Sequence, residues 1–196
     1  ASDHPDFHPT DVLEDADGSL LVLDTGGWYR LCCPSSQIAR PEVLGAGKKH
    51  GDLPPGDKIT VEWRGKPVWI VKRTKEQLDE LASLDAQLAD PDSQRKPAEL
   101  TPAYARNTWR SIKPEILVAV GICSHLGCSP SDKFQTGAQP SLPDDWKGGF
   151  LCPCHGSTFD MAGRVFKNKP APDNLEVPPH MYLSETKLLI GEDKKA

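Results

Sequence analysis

Two short stretches of this 196-residue chain concentrate its metal-binding side chains: Cys-Ser-His-Leu-Gly-Cys at 123–128 and Cys-Pro-Cys-His-Gly at 152–156. Cys123 and His125 form Cys-x-His; Cys152 and His155 form Cys-x-x-His. Thiolate and imidazole are the ligands of zinc and of iron–sulfur centres, and a pair from each of two tight loops supplies four donors to one metal site. A lone cysteine is often a plain core residue. Two such doublets, each with a further cysteine in its loop, argue against that here. The further cysteines are Cys128 and Cys154, flanked by the turn-formers Gly127 and Pro153. A shared centre would bring the two loops, and these two residues, within reach of each other. On spacing alone, a structural zinc site and an iron–sulfur centre both stay open.

The elements that must position these loops follow from periodicity. Glu115–Ile122 reads as a buried strand that delivers the chain to Cys123. Lys58–Arg73 reads as two β-rich runs joined by Arg64-Gly65, a hairpin signal. Thr74 and Gln77 offer a capping box, and Leu78, Leu81, Leu84 and Leu88 recur at helical spacing up to Pro91. Residues 90–104 and 129–149 read as loops, the second long and polar; short strands are predicted at Arg164–Phe166 and Lys187–Ile190.

The N-terminal part differs. Asp17-Gly18 precedes the apolar run Leu20–Leu23, and Gly26-Gly27 follows, predicting one strand or hairpin. The stretch GAGKKHGDLPPG (45–56) reads as a connector. The expected organisation is an atypical segment at 1–47, a linker at 48–57 and a domain at 58–193. His4, His8, Cys32 and Cys33 could bind metal, but adjacent cysteines with no matching pair nearby read as structural.

With 19 prolines, 16 glycines and 37% hydrophobic residues, the chain favours a loop-rich, all-β-leaning fold with one helix over a helical bundle. A formal charge of −5 weighs against a nucleic-acid partner. The longest apolar run, Ile116–Ile122, is far too short to span a bilayer, and the first ten residues lack a signal-peptide pattern. The chain as written therefore reads as soluble, with membrane attachment left to a partner or a further segment.

The two cysteine–histidine stretches, taken with VEWRGKPVWIVKRT, SIKPEILVAVGICSHLGC, WKGGFLCPCHGSTFD, AGRV and PAPDNL, resemble the Rieske iron–sulfur subunit of bacterial cytochrome bc complexes, ubiquinol–cytochrome c reductase, from about Leu53 to Asp193. The resemblance implies small stacked antiparallel sheets with a cluster-binding subdomain inserted at about 120–172. It implies one [2Fe–2S] cluster per chain, with Cys123 and Cys152 on the inner iron and His125 and His155 on the outer iron. In that site type, two histidines replace two cysteines on one iron. A disulfide between Cys128 and Cys154 is implied too; ferredoxin-type and oxygenase-type Rieske domains generally lack that pair.

Further roles follow from the same resemblance. His155 and His125 would take the electron and proton of ubiquinol, and the head would pass the electron to cytochrome c1; such a subunit is not catalytic alone. Leu126 would dock on cytochrome b, and Pro170, Ala171 and Pro172 would shield the cluster. Ser157 would donate to a bridging sulfide, whereas Phe159 stands where many relatives carry a hydroxyl-bearing tyrosine. The implied setting is the bacterial inner membrane, with the head on the periplasmic side. The alternatives are a soluble Rieske ferredoxin serving an oxygenase and a structural zinc domain. The segment 1–47 weakly resembles one blade of a β-propeller dehydrogenase.

Overall fold

The computed structural model describes residues 53–95, 100–185 and 187–193 in full, and the backbone of 11–14, 20–24 and 27–31. The chain divides into two compact units, Ala1–Arg40 and Pro41–Ala196. In the first, β1 (Asp11–Glu14), β2 (Leu20–Asp24) and β3 (Gly27–Leu31) form an antiparallel meander, with Leu13 opposite Leu21 and Val22 opposite Tyr29. The predicted strand or hairpin is thus a three-stranded sheet. His4, His8, Cys32, Cys33 and most of the connector lie outside the described residues.

The second unit is built around one sheet, β4 (Lys58–Trp63), β5 (Lys66–Lys72) and β6 (Ile116–Val120), antiparallel in the order β4-β5-β6. Arg64 and Gly65 join β4 to β5 with φ of 52° and 73°, the two positive values that a tight hairpin turn of matching twist requires. The sheet is covered on both faces, which is why β6 is apolar at every position. Val68, Ile70, Ile116, Val118 and Val120 pack against Leu188 and Ile190. Those two belong to β11 (Lys187–Ile190), paired in a hairpin with β10 (His180–Ser184). Trp69, Val71, Leu117 and Ala119 line the other core, which also holds Cys123 and Cys152.

That second core belongs to a smaller sheet, β7 (Ser131–Lys133), β8 (Gly149–Leu151) and β9 (Thr158–Asp160). Trp69 stacks on Phe150 with ring centroids 4.8 Å apart, and Phe134 meets Phe150 edge-on at 5.5 Å. Gly121 allows the Trp69 ring its place: a Cβ there would lie 2.2 Å from the indole.

Several local expectations change. The capping box forms, with Thr74 accepting from the Gln77 N–H and Gln77 accepting from the Thr74 N–H. The helix α1 spans only Lys75–Leu81, however, and continues as a 3₁₀ turn over Ala82–Gln87. The Ser83 hydroxyl donates to the Glu80 carbonyl, a local bond that competes with regular α-helical pairing. The strand predicted at Arg164–Phe166 is reduced to isolated bridges, Phe159 with Val165 and Leu88 with Phe166. Side chains take the amides a ladder would use: Asp160 accepts from the Arg164 N–H and Asn174 from the Val165 N–H. The polar loop 129–149 contains β7 and a buried Trp146, whose Nε1 donates to the Lys133 carbonyl at 2.8 Å.

Buried arginines tie the two sheets together at the turn after β9. Arg73, at the end of β5, donates to the carbonyls of Trp109, Met161 and Pro114 and to the Ser111 hydroxyl. Arg110 donates to Ala162, Gly163 and Leu175 carbonyls and to Ser93 and Thr101 hydroxyls. Arg164 pairs with fully buried Asp160 at 2.7 Å and with Asp85 at 2.7 Å. Desolvation pulls Arg73 down to about 9 and Arg110 to about 10, against the pull of Asp160.

Candidate metal centre

The two loops are built alike. The Cys123 N–H donates to the Cys128 carbonyl (2.8 Å) and the Gly127 N–H to the Cys123 carbonyl (3.1 Å). The Cys152 N–H donates to the Ser157 carbonyl (2.7 Å) and the Gly156 N–H to the Cys152 carbonyl (3.0 Å). Both closures run between the first residue and the fifth or sixth of the loop. Both need a left-handed fifth residue, and Gly127 and Gly156 supply it at φ 83° and 75°.

Superposing the closures pairs Cys123 with Cys152, His125 with Cys154, Leu126 with His155 and Cys128 with Ser157. Cys128 and Cys154 therefore do not hold matching places, although each loop carries one. They are nonetheless bonded, with Cα atoms 6.6 Å apart. Such a bridge stabilises by about 2–4 kcal/mol.

Cys123 and Cys152 are free thiols, each 2% exposed. Burial pushes the Cys123 thiol above its ordinary value, and neighbouring Cys152 adds to this; the His125 N–H and the Ser157 hydroxyl, both at its sulfur, oppose it. The two imidazoles meet edge-on, with centroids 4.7 Å apart. His125 is half-buried and its Nδ1 is buried without a hydrogen-bond partner; His155 is exposed. Among the described residues, the donor atoms that converge within 4.8 Å of one another are those of Cys128, Cys152 and Cys154. Two of those are spent in the disulfide, so that convergence is not itself a ligand set. No three of Cys123, His125, Cys152 and His155 meet at that distance.

A third segment closes over both loops. The fully buried Ser157 hydroxyl accepts from the Ala171 N–H at 2.9 Å, which leaves its own proton to donate. Ser124 Oγ donates to the Asp173 carbonyl and accepts from its N–H. Pro170 and Pro172 are exposed beside buried Ala171, and the Pro172 carbonyl accepts from Arg95. Ser124 and Arg95 were not singled out from sequence; no periodic or compositional signal marks a serine between two ligand-type residues. Leu126 projects from the first loop with 70% of its surface exposed. Phe159 is completely buried, paired with Phe150 in the core that holds both free cysteines.

The residues present fit a [2Fe–2S] group. Two buried free thiols share one core, and the buried Nδ1 of His125 has no hydrogen-bond partner, a nitrogen of the kind a metal satisfies.

Residues 93–179 match the family model described as the Rieske [2Fe-2S] domain. The chain is 56% identical over 142 residues to the ubiquinol-cytochrome c reductase iron-sulfur subunit of Allochromatium vinosum, covering 72% of this chain and 67% of that one. It is 41% identical over 160 residues to the mitochondrial cytochrome b-c1 complex subunit Rieske-4 of Nicotiana tabacum, covering 80% of this chain and 58% of the relative. It is 44% identical over 141 residues to the mitochondrial Rieske-1 subunit of Arabidopsis thaliana, covering 72% and 43%. It thus spans about half the length of these plant relatives. At these identities the chain belongs to the Rieske iron–sulfur family, on the branch of the ubiquinol–cytochrome c reductase iron–sulfur subunits.

Proposed function

We propose that this chain is the electron-carrying head of a quinol-oxidising respiratory complex, with Cys123 and Cys152 holding one iron of a [2Fe–2S] cluster and His125 and His155 the other. The observation that carries this is the orphaned, buried Nδ1 of His125 beside two buried free thiols. The failure of the four donors to converge on one point weighs against a single tetrahedral zinc and suits two metal ions. The cluster supplies a one-electron acceptor at a potential raised by its neutral imidazole ligands.

The protein's residues do the rest. Exposed His155 presents an imidazole to solvent, where a ubiquinol hydroxyl can hydrogen-bond and hand over its proton. Leu126, exposed beside it, makes the contact with cytochrome b; the electron then passes to cytochrome c1. Pro170 and Pro172, pinned through Ala171 and Asp173 to both loops, keep water from the buried thiols. The Cys128–Cys154 bridge supports this branch over an oxygenase-serving ferredoxin. The head works at the membrane, on the periplasmic side. Among the described residues no helix is long and apolar enough to cross a membrane.

The test is spectroscopic and then functional. The reduced protein should give a Rieske-type electron paramagnetic resonance signal, lost in His125→Ala and Cys152→Ala. It should be reduced by quinol through a cytochrome bc complex lacking its own Rieske subunit. A colourless, zinc-containing protein overturns the cluster; a normal signal with no reduction through that complex overturns the quinol role.

A further inference from the structure

Three sulfurs crowd one place. The Sγ atoms of Cys128, Cys152 and Cys154 all lie within 4.8 Å of one another, yet only Cys128 and Cys154 are bonded. Cys152 is the odd one, a free and buried thiol against a disulfide. We propose that Cys152 is the third member of a thiol–disulfide exchange triad: when no metal holds its sulfur, Cys152 displaces Cys154 from Cys128, and the register of the disulfide records whether the site is loaded.

The step balances without an oxidant. The Cys152 sulfur attacks Cys128 Sγ, the Cys152–Cys128 bond forms and the Cys128–Cys154 bond breaks. The proton that Cys152 gives up ends on Cys154, so one disulfide and one thiol stand on each side. Attack on the other sulfur would make Cys152–Cys154, closing a ring of three residues with Pro153 in the middle. A Cys128–Cys152 bridge instead spans nearly the same loop as the native one, whose partners are 26 residues apart. The leaving residue also favours this direction. Cys154 is exposed, so its departing thiolate is solvated, whereas Cys152 becomes covalently held in the interior it already occupies. Cys123, although buried nearby, is not one of the three converging sulfurs and stays a thiol.

Two consequences follow at the loops. Exchange removes Cys152 from the donor set, so a swapped chain cannot take metal until a thiol reverses it. It also places a reactive thiol on the surface at Cys154, next to exposed His155. The inference rests on the sulfur geometry and holds whichever metal the site takes.

The full chain, metal-loaded or stripped by a chelator in air, is incubated at pH 8, blocked with iodoacetamide without reductant, digested and mapped by mass spectrometry. The loaded protein should show only the Cys128–Cys154 bridge. The stripped protein should accumulate a Cys128–Cys152 peptide with alkylated Cys154, while Cys123 stays alkylated. Stripped Cys152→Ser should keep Cys154 blocked. Three results overturn the proposal: stripped wild type holding Cys128–Cys154 for a day with Cys123 and Cys152 both alkylated; alkylated Cys154 in Cys152→Ser; or bridges to Cys123, Cys32 or Cys33 as abundant as Cys128–Cys152, the signature of scrambling in an unfolded chain.

Discussion

The Ser124 hydroxyl holds both backbone groups of Asp173, donating to its carbonyl at 2.7 Å and accepting from its N–H at 3.2 Å. One side chain from the first metal-binding loop thus fixes the covering segment, while Ser157 from the second loop fixes Ala171 two residues earlier.

Ser124→Ala should therefore loosen the cover without touching a proposed ligand. Losing two part-buried hydrogen bonds costs about 1–3 kcal/mol. For a domain of this size that lowers the Tm by about 2–10 °C. Calorimetry of the loaded protein, with the decay of its visible absorbance in chelator, measures both effects. An unchanged Tm and decay rate would show that the covering segment is held from elsewhere.

Phe159→Tyr should raise the midpoint potential. Phe159 is completely buried in the core that contains Cys123 and Cys152, and the family resemblance implies that a tyrosine hydroxyl here would donate to a ligand sulfur. Reduction adds negative charge, so a donor stabilises the reduced form more than the oxidised one. Because 1.4 kcal/mol corresponds to about 59 mV for one electron, a difference of a fraction of a hydrogen bond gives some tens of millivolts. Voltammetry at one pH decides the sign; an equal or lower potential with the cluster intact refutes the tuning role.

His180 should make the fold acid-sensitive. Its ring is 1% exposed, Nδ1 donates to the Pro178 carbonyl at 2.8 Å and Nε2 has no partner. Desolvation, opposed by that carbonyl and by Asp193, holds its pKa below the ordinary 6.5. Below that value the unfolded chain takes up a proton that the fold refuses. Stability is therefore present above pH 6.5 and is lost as pH falls toward the depressed folded value. The slope from this one group is at most about 1.4 kcal/mol per pH unit. Urea titrations of wild type and His180→Phe between pH 7 and 5 should show a shallower acid limb in the variant; equal slopes would clear His180.

Two glycines should respond to alanine to very different degrees. At Gly127 nothing lies within 4 Å of an added Cβ, so only the left-handed backbone at φ 83° resists. That costs on the order of 1 kcal/mol. At Gly149 the Cβ would sit 2.0 Å from the Phe159 carbonyl oxygen, across the β8–β9 pair. Gly149→Ala should therefore fail to yield soluble loaded protein where Gly127→Ala succeeds. Comparable yields and Tm values for both would refute this.

Local signals carried much of this structure on their own. Arg64-Gly65 announced its turn, Thr74 and Gln77 their cap, and the unbroken apolar run of β6 its double burial. The donor types at 123–128 and 152–156 marked the site. What stayed hidden depends on three-dimensional offsets. The two loop closures align His125 with Cys154, a relation that the spacing of cysteines obscures. Nothing in the sequence around Arg73, Arg110 and Arg164 announces the carbonyls that receive them. The strand expected at Arg164–Phe166 forms only isolated bridges, because Asp160 and Asn174 side chains occupy the amides of Arg164 and Val165.

The double burial of β6 has a dynamic meaning. Its central residues lie between two cores, Leu117 and Ala119 facing one and Val118 the other, so the β6 amides bonded to β5 should be among the slowest of the unit to exchange with solvent. The loop at 152–157 is exposed from Pro153 to Gly156 and is anchored by its two closing hydrogen bonds, the Ser157–Ala171 bond and one disulfide. Opening of Pro153–Gly156 should be a local excursion, separate from the unfolding of β6. Metal should thus leave through a fluctuation that β6 does not register, and a head that has lost its cluster keeps the scaffold, ready to receive another as long as Cys152 is a free thiol.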